Sequence, residues 1–222
     1  RQRQMCIRDR LIWLEIFNNN YDKAIESGRK AVEYAPDELS LYQALGFAYF
    51  KKEDYSSAIA TYDTLLVRNK DIQMVDEADI HTSLGDIYQQ IGDTANAIKN
   101  YVLANEKSTR NGIDKAINQI TLGGLYFDRY EYDKAQPCYS EGVAQLPEDY
   151  QNYAMLKKRS DVLDELAVYS QNVTLQDSLL ALSKLSPEEQ QKVADRLVKE
   201  LKDKEKKAAE EAALQALASR PD

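Results

Sequence analysis

Small and apolar side chains recur along this chain in one fixed arrangement, with polar residues between them. Three stretches align: LYQALGFAYFKKEDYSSAIATYDTLL, IHTSLGDIYQQIGDTANAIKNYVLA and INQITLGGLYFDRYEYDKAQPCYSEG. Each runs Leu-Gly, then an aromatic three residues after the Gly, an Ala nine residues further on and a Tyr four beyond that. The positions are Leu45, Gly46, Tyr49, Ala58 and Tyr62; Leu84, Gly85, Tyr88, Ala97 and Tyr101; and Leu122, Gly123, Tyr126, Ala135 and Tyr139. Similarity at a fixed period marks units that stack on their neighbours rather than closing a core alone. Glycine and proline number only 8 and 5 of 222 residues, while Ala, Leu, Glu, Lys and Gln abound, so the units are predicted to be helical.

The pattern resembles the tetratricopeptide repeat, whose signature is W-x2-L-G-x2-Y, then A-x3-F, then P. The resemblance implies an all-α fold, a right-handed superhelix of antiparallel helix pairs A and B, that holds other proteins. The spacing has a physical cause. Gly46, Gly85 and Gly123 leave helix A without a side chain where helix B comes close, and Ala58, Ala97 and Ala135 do the same on helix B. Tyr49, Tyr88 and Tyr126 are expected to fill the space around that contact.

An earlier YDKAIESGRKAVEYAP supplies a helix B with Ala24, Ala31 and Pro36 in place, preceded by half a helix A, LIWLEIFNNN. The array is therefore expected over 11–149, as a partial repeat 11–38 and repeats of about 39–77, 78–115 and 116–149. Gly46 and Gly85 are 39 residues apart and Gly85 and Gly123 are 38 apart, so connections or helices are longer than in the usual repeat of about 34. The first signature aromatic is Tyr42 in one repeat, but His81 and Gln119 hold that place in the next two.

After Pro147 the signature lapses. Lys157 stands where the Gly belongs and no Ala-x3-aromatic follows, so 150–171 is predicted to be a capping helix with Tyr153, Leu156, Leu163 and Ala167 in one stripe. Residues 172–222 then read as a short helix starting near Thr174 and a long charged one. Ser186, Pro187 and Glu189 form a capping box with Pro at the first helical position. Val193, Leu197 and Leu201 recur every four residues, and 11 of the 16 residues from Arg196 to Glu211 are charged, which allows a lone helix or a coiled coil.

Residues 1–10, RQRQMCIRDR, form no secretory signal, having no apolar core after their charges. They resemble the translation of a transposon-tagging sequencing adapter, CGG CAG CGT CAG ATG TGT ATA AGA GAC AG, and are expected to be a scar rather than native protein. The chain bears a net charge of −8, and −11 once the four Arg and one Asp of that segment are set aside. Such an acidic balance excludes a phosphate-binding surface, so no nucleic acid partner is expected. No run of 18 apolar residues occurs, so no membrane span is expected in the visible chain.

Catalytic and metal chemistry lack material. Cys138 remains as a single thiol, the chain has one His, and neither a C-x-x-C nor a phosphate-loop motif is present. His81 occupies a packing position and is assigned to structure. No enzyme activity, metal or cofactor is expected.

Function is expected on the helix A residues that face away from helix B. By register with the signature these are Gln43, Phe47 and Phe50, then Thr82, Asp86 and Gln89, then Ile120, Gly124 and Phe127. The Lys and Asn that clamp a peptide carboxylate in co-chaperones of this family are missing from these positions, so an acidic tail is a poor ligand. Phe47, Phe50 and Phe127 have two readings. Neighbouring helices cover them, or they line a groove for an amphipathic helix or extended apolar segment, with Asp86 selecting against acidic ones.

The tail narrows the resemblance. LQDSLLALSKLSPEEQQKVADRLVKELKDKEKKAAEEAA, following a few long repeats, is similar to the region after the N-terminal repeats of the gliding-motility and type IX secretion repeat lipoproteins of Bacteroidota. That resemblance implies a periplasmic location, an outer-membrane anchor outside the visible chain and a role in supporting the secretion machine. A cytoplasmic repeat adaptor or co-chaperone, and the repeat region of a larger enzyme, share the features up to Pro147 and stay open as alternatives.

Overall fold

A computed structural model describes residues 2–73, 75–109 and 112–218, with side chains described at 10–70, 72, 73, 75–109, 112–206 and 209. Every regular element is a helix: α1 (Gln2–Phe17), α2 (Tyr21–Tyr34), α3 (Leu39–Lys51), α4 (Tyr55–Ile72), α5 (Glu77–Gln90), α6 (Thr94–Lys107), α7 (Ile113–Asp128), α8 (Tyr132–Gln145), α9 (Tyr153–Ser183) and α10 (Pro187–Ala218). Of residues 1–10, which carry the adapter resemblance, the backbone of 2–10 belongs to α1 and only the side chain of Arg10 lies among those described. The chain divides into two compact units at Val168–Tyr169.

In the first unit α1 to α8 form four helical pairs. The turn inside each pair obeys one rule. A single residue takes a left-handed conformation five positions before the signature Ala: Asn19 (φ 58°), Glu53 (φ 65°), Gly92 (φ 79°) and Tyr130 (φ 61°). The next residue starts helix B. Asp54 and Asp93 accept from the backbone N–H of Ser57 and Asn96, at 3.2 and 3.1 Å, and so satisfy a donor the helix leaves open. Glu131, in the same place before α8, instead pairs with Arg129 and Lys134, each at 2.6 Å.

Apolar clusters join each pair to the next. Ile12, Ala24, Ala31, Leu41 and Ala44 bind α1 and α2 to α3. Leu39, Tyr62, Leu65, Ile80 and Ile87 bind α3 and α4 to α5. Ala97, Tyr101 and Leu122 tie α6 to α7, and Ala135, Tyr139 and Leu163 tie α8 to the start of α9. Each core is thus shared with a neighbour, the energetic signature of a solenoid.

The longer period between the second and third pairs is absorbed at the end of α4. Gln73 turns left-handed (φ 52°). Asn69, 1 % exposed, then donates to the Val75 carbonyl at 2.7 Å and accepts from the Val75 N–H at 3.0 Å, bracing the connection from within.

The stretch read as a capping helix ending near 171 and a second helix starting at Thr174 is one helix, α9. No glycine or proline interrupts Tyr153–Ser183. The exposed Ser178 hydroxyl bonds back to the Thr174 carbonyl at 2.7 Å, so Thr174 sits inside a turn rather than capping one. Ser160, Leu163 and Ala167 are the buried residues of α9.

In the second unit the capping box forms as expected. Ser186 N donates to Glu189 Oε2 at 2.9 Å, Glu189 N lies 3.4 Å from Ser186 Oγ, and α10 begins at Pro187. The coiled-coil expectation beyond Lys206 falls almost wholly on side chains outside those described.

Candidate functional site

The face proposed for binding depends on how helix A is held against helix B. An added Cβ on Gly46 would lie 2.9 Å from Tyr62, one on Gly85 2.8 Å from Tyr101, and one on Gly123 2.8 Å from Tyr139. The glycines therefore do face the partner helix. What fills the space is the flat of a tyrosine ring, while the nearby Ala58, Ala97 and Ala135 are fully buried. Burying three phenol rings this completely supplies much of the pair energy, on the order of 2 kcal/mol each by area.

At the matching positions of the first pair the residue types are exchanged. Ile12 stands twelve residues before Ala24, as Gly46 stands before Ala58, and Gly28 stands four after Ala24, as Tyr62 stands after Ala58. The large residue has moved to helix A and the small one to helix B. Ile12 is fully buried, and the room at Gly28 is taken by Leu45 of α3, 3.0 Å from an added Cβ.

Each phenol hydroxyl emerges toward the helix A face. Burial pushes the pKa of Tyr62 up to about 12, with the Ser83 side chain opposing the rise. The Tyr101 hydroxyl lies 2.6 Å from Asp86 Oδ1 and 2.9 Å from Gln89 Oε1. The hydroxyl has one proton to give, and the shorter contact is to the carboxylate. Though Asp86 as a residue is exposed, desolvation of its carboxyl raises its pKa, and the bond from Tyr101 opposes that rise. The Tyr139 hydroxyl accepts from Arg159 Nη1 at 2.9 Å.

The candidate residues fall into patches. Phe47 and Phe50 are half-buried and adjacent, with ring centroids 6.2 Å apart. Trp13 lies 5.4 Å from Phe47, and Tyr55 lies 6.2 Å from Phe50. Gln43, one turn earlier on α3, is half-buried as well. On α5, Asp86 and Gln89 meet around Tyr101, and the Thr82 hydroxyl accepts from Asn118 of α7 at 2.6 Å. On α7, Ile120 packs toward Gly142, whose added Cβ it would approach at 2.8 Å, and Gly124 opens toward the Tyr139 hydroxyl at 3.6 Å. Phe127, half-buried, meets Tyr132 edge to face at 5.3 Å and lies under the Arg159 guanidinium at 5.1 Å. The aromatic residues are thus partly covered by neighbours and partly open.

At the missing signature aromatics, hydrogen bonds replace ring packing. His81 Nδ1 lies 3.0 Å from Asn100 Oδ1. Gln119, 5 % exposed, donates to Glu141 and accepts from Gln145. Tyr42 keeps the aromatic and carries the Arg68 guanidinium 5.3 Å above its ring. Among the described residues no group of three or more His, Cys, Asp or Glu could hold a metal, and burial raises the Cys138 thiol to about 11.

Residues 39–71 and 78–106 match the tetratricopeptide repeat family. Over those residues the chain carries tetratricopeptide repeats. Solved repeat structures agree on the fold at low identity. MamA is 20 % identical, covering 84 % of this chain and 98 % of its own, with a TM-score of 0.56. BtubC from P. vanneervenii is 19 % identical, covering 80 % of each chain, with a TM-score of 0.58. YrrB, described as a repeat protein with an unusual peptide-binding site, is 15 % identical, covering 74 % of this chain and 90 % of its own, with a TM-score of 0.52. No curated protein sequence matches the chain.

The repeat signature was sufficient to find Gly46, Gly85, Gly123 and their tyrosines. Arg159 and the Asn69 brace were missed, because a lone Arg or Asn in a helical stretch carries no spacing signal. Tyr130 in its left-handed turn was missed for the opposite reason: its residue type argues against the conformation it adopts.

Proposed function

We propose that this chain is a non-catalytic scaffold that holds a protein segment along the helix A face of its repeats. The observation that carries the reading is the run of half-open and exposed side chains on successive A helices: Gln43 and Phe47 on α3, Thr82, Asp86 and Gln89 on α5, Phe127 on α7. Their mixture of rings and hydrogen-bonding groups suits an amphipathic helix or an extended apolar segment, with Asp86 disfavouring acidic ones. The peptide-binding site described for YrrB, a protein of similar fold, supports the same use of the surface. Among the described residues no helix is long and apolar enough to cross a membrane.

The tail similarity supports a narrower reading, in which the chain is a piece of a periplasmic, outer-membrane-anchored repeat lipoprotein serving type IX secretion and gliding. Deleting the corresponding gene in a Bacteroidota host tests it. The expected result is retention of secreted cargo inside the cell, with the protein protected from protease in whole cells and exposed in spheroplasts. Normal secretion, or a protein found only in the cytosol, overturns the narrower reading and leaves an adaptor.

A further inference from the structure

The second unit exposes apolar surface that its own helices do not cover. Leu175, Leu179 and Leu180 on α9 are 57, 55 and 59 % exposed, and Leu197 and Leu201 on α10 are 47 and 59 % exposed. An isolated helix with such a face is unstable in water, because helices of this length draw most of their stability from packing.

We propose that this face joins a second copy of the chain, with the two α9 tails side by side as a short two-stranded coil. Three observations select that occupant. Asn172, Leu175, Leu179 and Leu182 follow one another at steps of three, four and three, the a-d-a-d order of a heptad seam. Gln171, Gln176, Ser178 and Ser183 flank the seam and carry no charge, so identical helices meet there without repulsion. A partner of opposite charge would find nothing to recognise. Asp177, the only charged residue from Tyr169 to Ser183, falls at the position furthest from the seam.

Asn172 at a core position is the device by which coils fix register and restrict themselves to two strands, since its amide is satisfied only against a second Asn in register. An open cavity of about 400 Å³ lined by Gln176, Leu179, Leu180 and Ser183 gives the neighbouring helix a seat beside the seam.

Sedimentation equilibrium of the full chain from about 1 to 100 µM tests this, alongside two variants. The wild-type chain is expected at twice its monomer mass across the upper part of that range. Leu175→Glu with Leu179→Glu is expected to weaken association at least a hundredfold while the unfolding midpoint of the repeats stays in place, showing that the array still folds. Asp177→Lys is expected to leave the dimer unchanged. A wild-type chain that is monomeric at 100 µM overturns the proposal, as does a Glu variant that associates like the wild type. Dissociation by Asp177→Lys equal to that of the leucine variant also overturns it, because the seam would then lie on another face.

Discussion

A methyl group placed on Gly85 would lie 2.8 Å from Cε1 of Tyr101, a ring that is 1 % exposed and has no room to retreat. In an ordinary helix Gly→Ala stabilises by about 0.5–1 kcal/mol, but overpacking a core costs about 1–3 kcal/mol, so here the clash wins. Gly85→Ala is expected to lower the free energy of unfolding in urea by about 1–2 kcal/mol, and adding Tyr101→Leu should reverse much of the loss relative to Tyr101→Leu alone. Gly92→Ala should cost about 1 kcal/mol for a different reason. Nothing lies within 4 Å of its added Cβ, and only its φ of 79° is unfavourable.

Asp86 supplies a second test at this scale. Burial raises its folded pKa above the unfolded value, so the native state binds the extra proton in the window between the two. Stability contributed at this position therefore falls as pH rises through that window. Asp86→Asn should be more stable than wild type at pH 7, with the gap closing below about pH 4, where the carboxyl is protonated in both states. Denaturation curves from pH 3 to 8 check the sign. The glycine and tyrosine positions were legible in the sequence because a ring against a backbone demands one spacing. Asp86 was legible only as a charge, since its bond to Tyr101 depends on how the two helices cross.

At the scale of the element, turns and caps repeat more faithfully than the residues that build them. Asp54 caps α4 through the Ser57 N–H, and its hydrogen bonds to Ser57 hold its pKa below the usual value. Asp54→Ala is expected to cost about 1 kcal/mol at pH 7. Because the folded pKa is lowered, that stabilisation is complete above about pH 4 and disappears as pH falls through the folded value, so mutant and wild type should converge in acid. The brace at the end of α4 is the other element-level test. Asn69→Leu leaves the Val75 N–H and carbonyl without their partner, and is expected to cost about 1–3 kcal/mol in the same urea assay.

The helices themselves were legible from apolar spacing, but the length of α9 was not. A polar stretch from Ser170 to Ser178 reads as a break, yet without glycine or proline the backbone has no reason to stop. Nor was the close approach of Leu45 to Gly28 legible, because a signature that looks for small residues on helix A passes over a pair whose small residue stands on helix B.

For the whole molecule, sharing cores between neighbouring pairs leaves the A helices with one face committed to packing and another only partly covered by later elements, as where Asn118 bonds Thr82 and Arg159 lies over Phe127. On the proposed reading that division makes the outer face available to other proteins, and the glycine–tyrosine contact draws helices A and B together on the committed side. The family match at 39–71 and 78–106 covers the two pairs with the most regular signature. The second and third repeats both lack the first signature aromatic, and hydrogen bonds joining His81 to Asn100 and Gln119 to Glu141 and Gln145 stand in its place.

The direct test of the central claim is site-specific photo-crosslinking in cells, with the probe at Gln43, Thr82 or Gln89 on the A helices and, for contrast, at the exposed Val67 or Lys99 on the B helices. The account predicts one and the same partner band from the three A-helix positions, lost on combining the probe with Phe47→Ala and Phe127→Ala, and no such band from Val67 or Lys99. Crosslinks of equal strength from the B helices, or a partner band unchanged by the two phenylalanine substitutions, would contradict it.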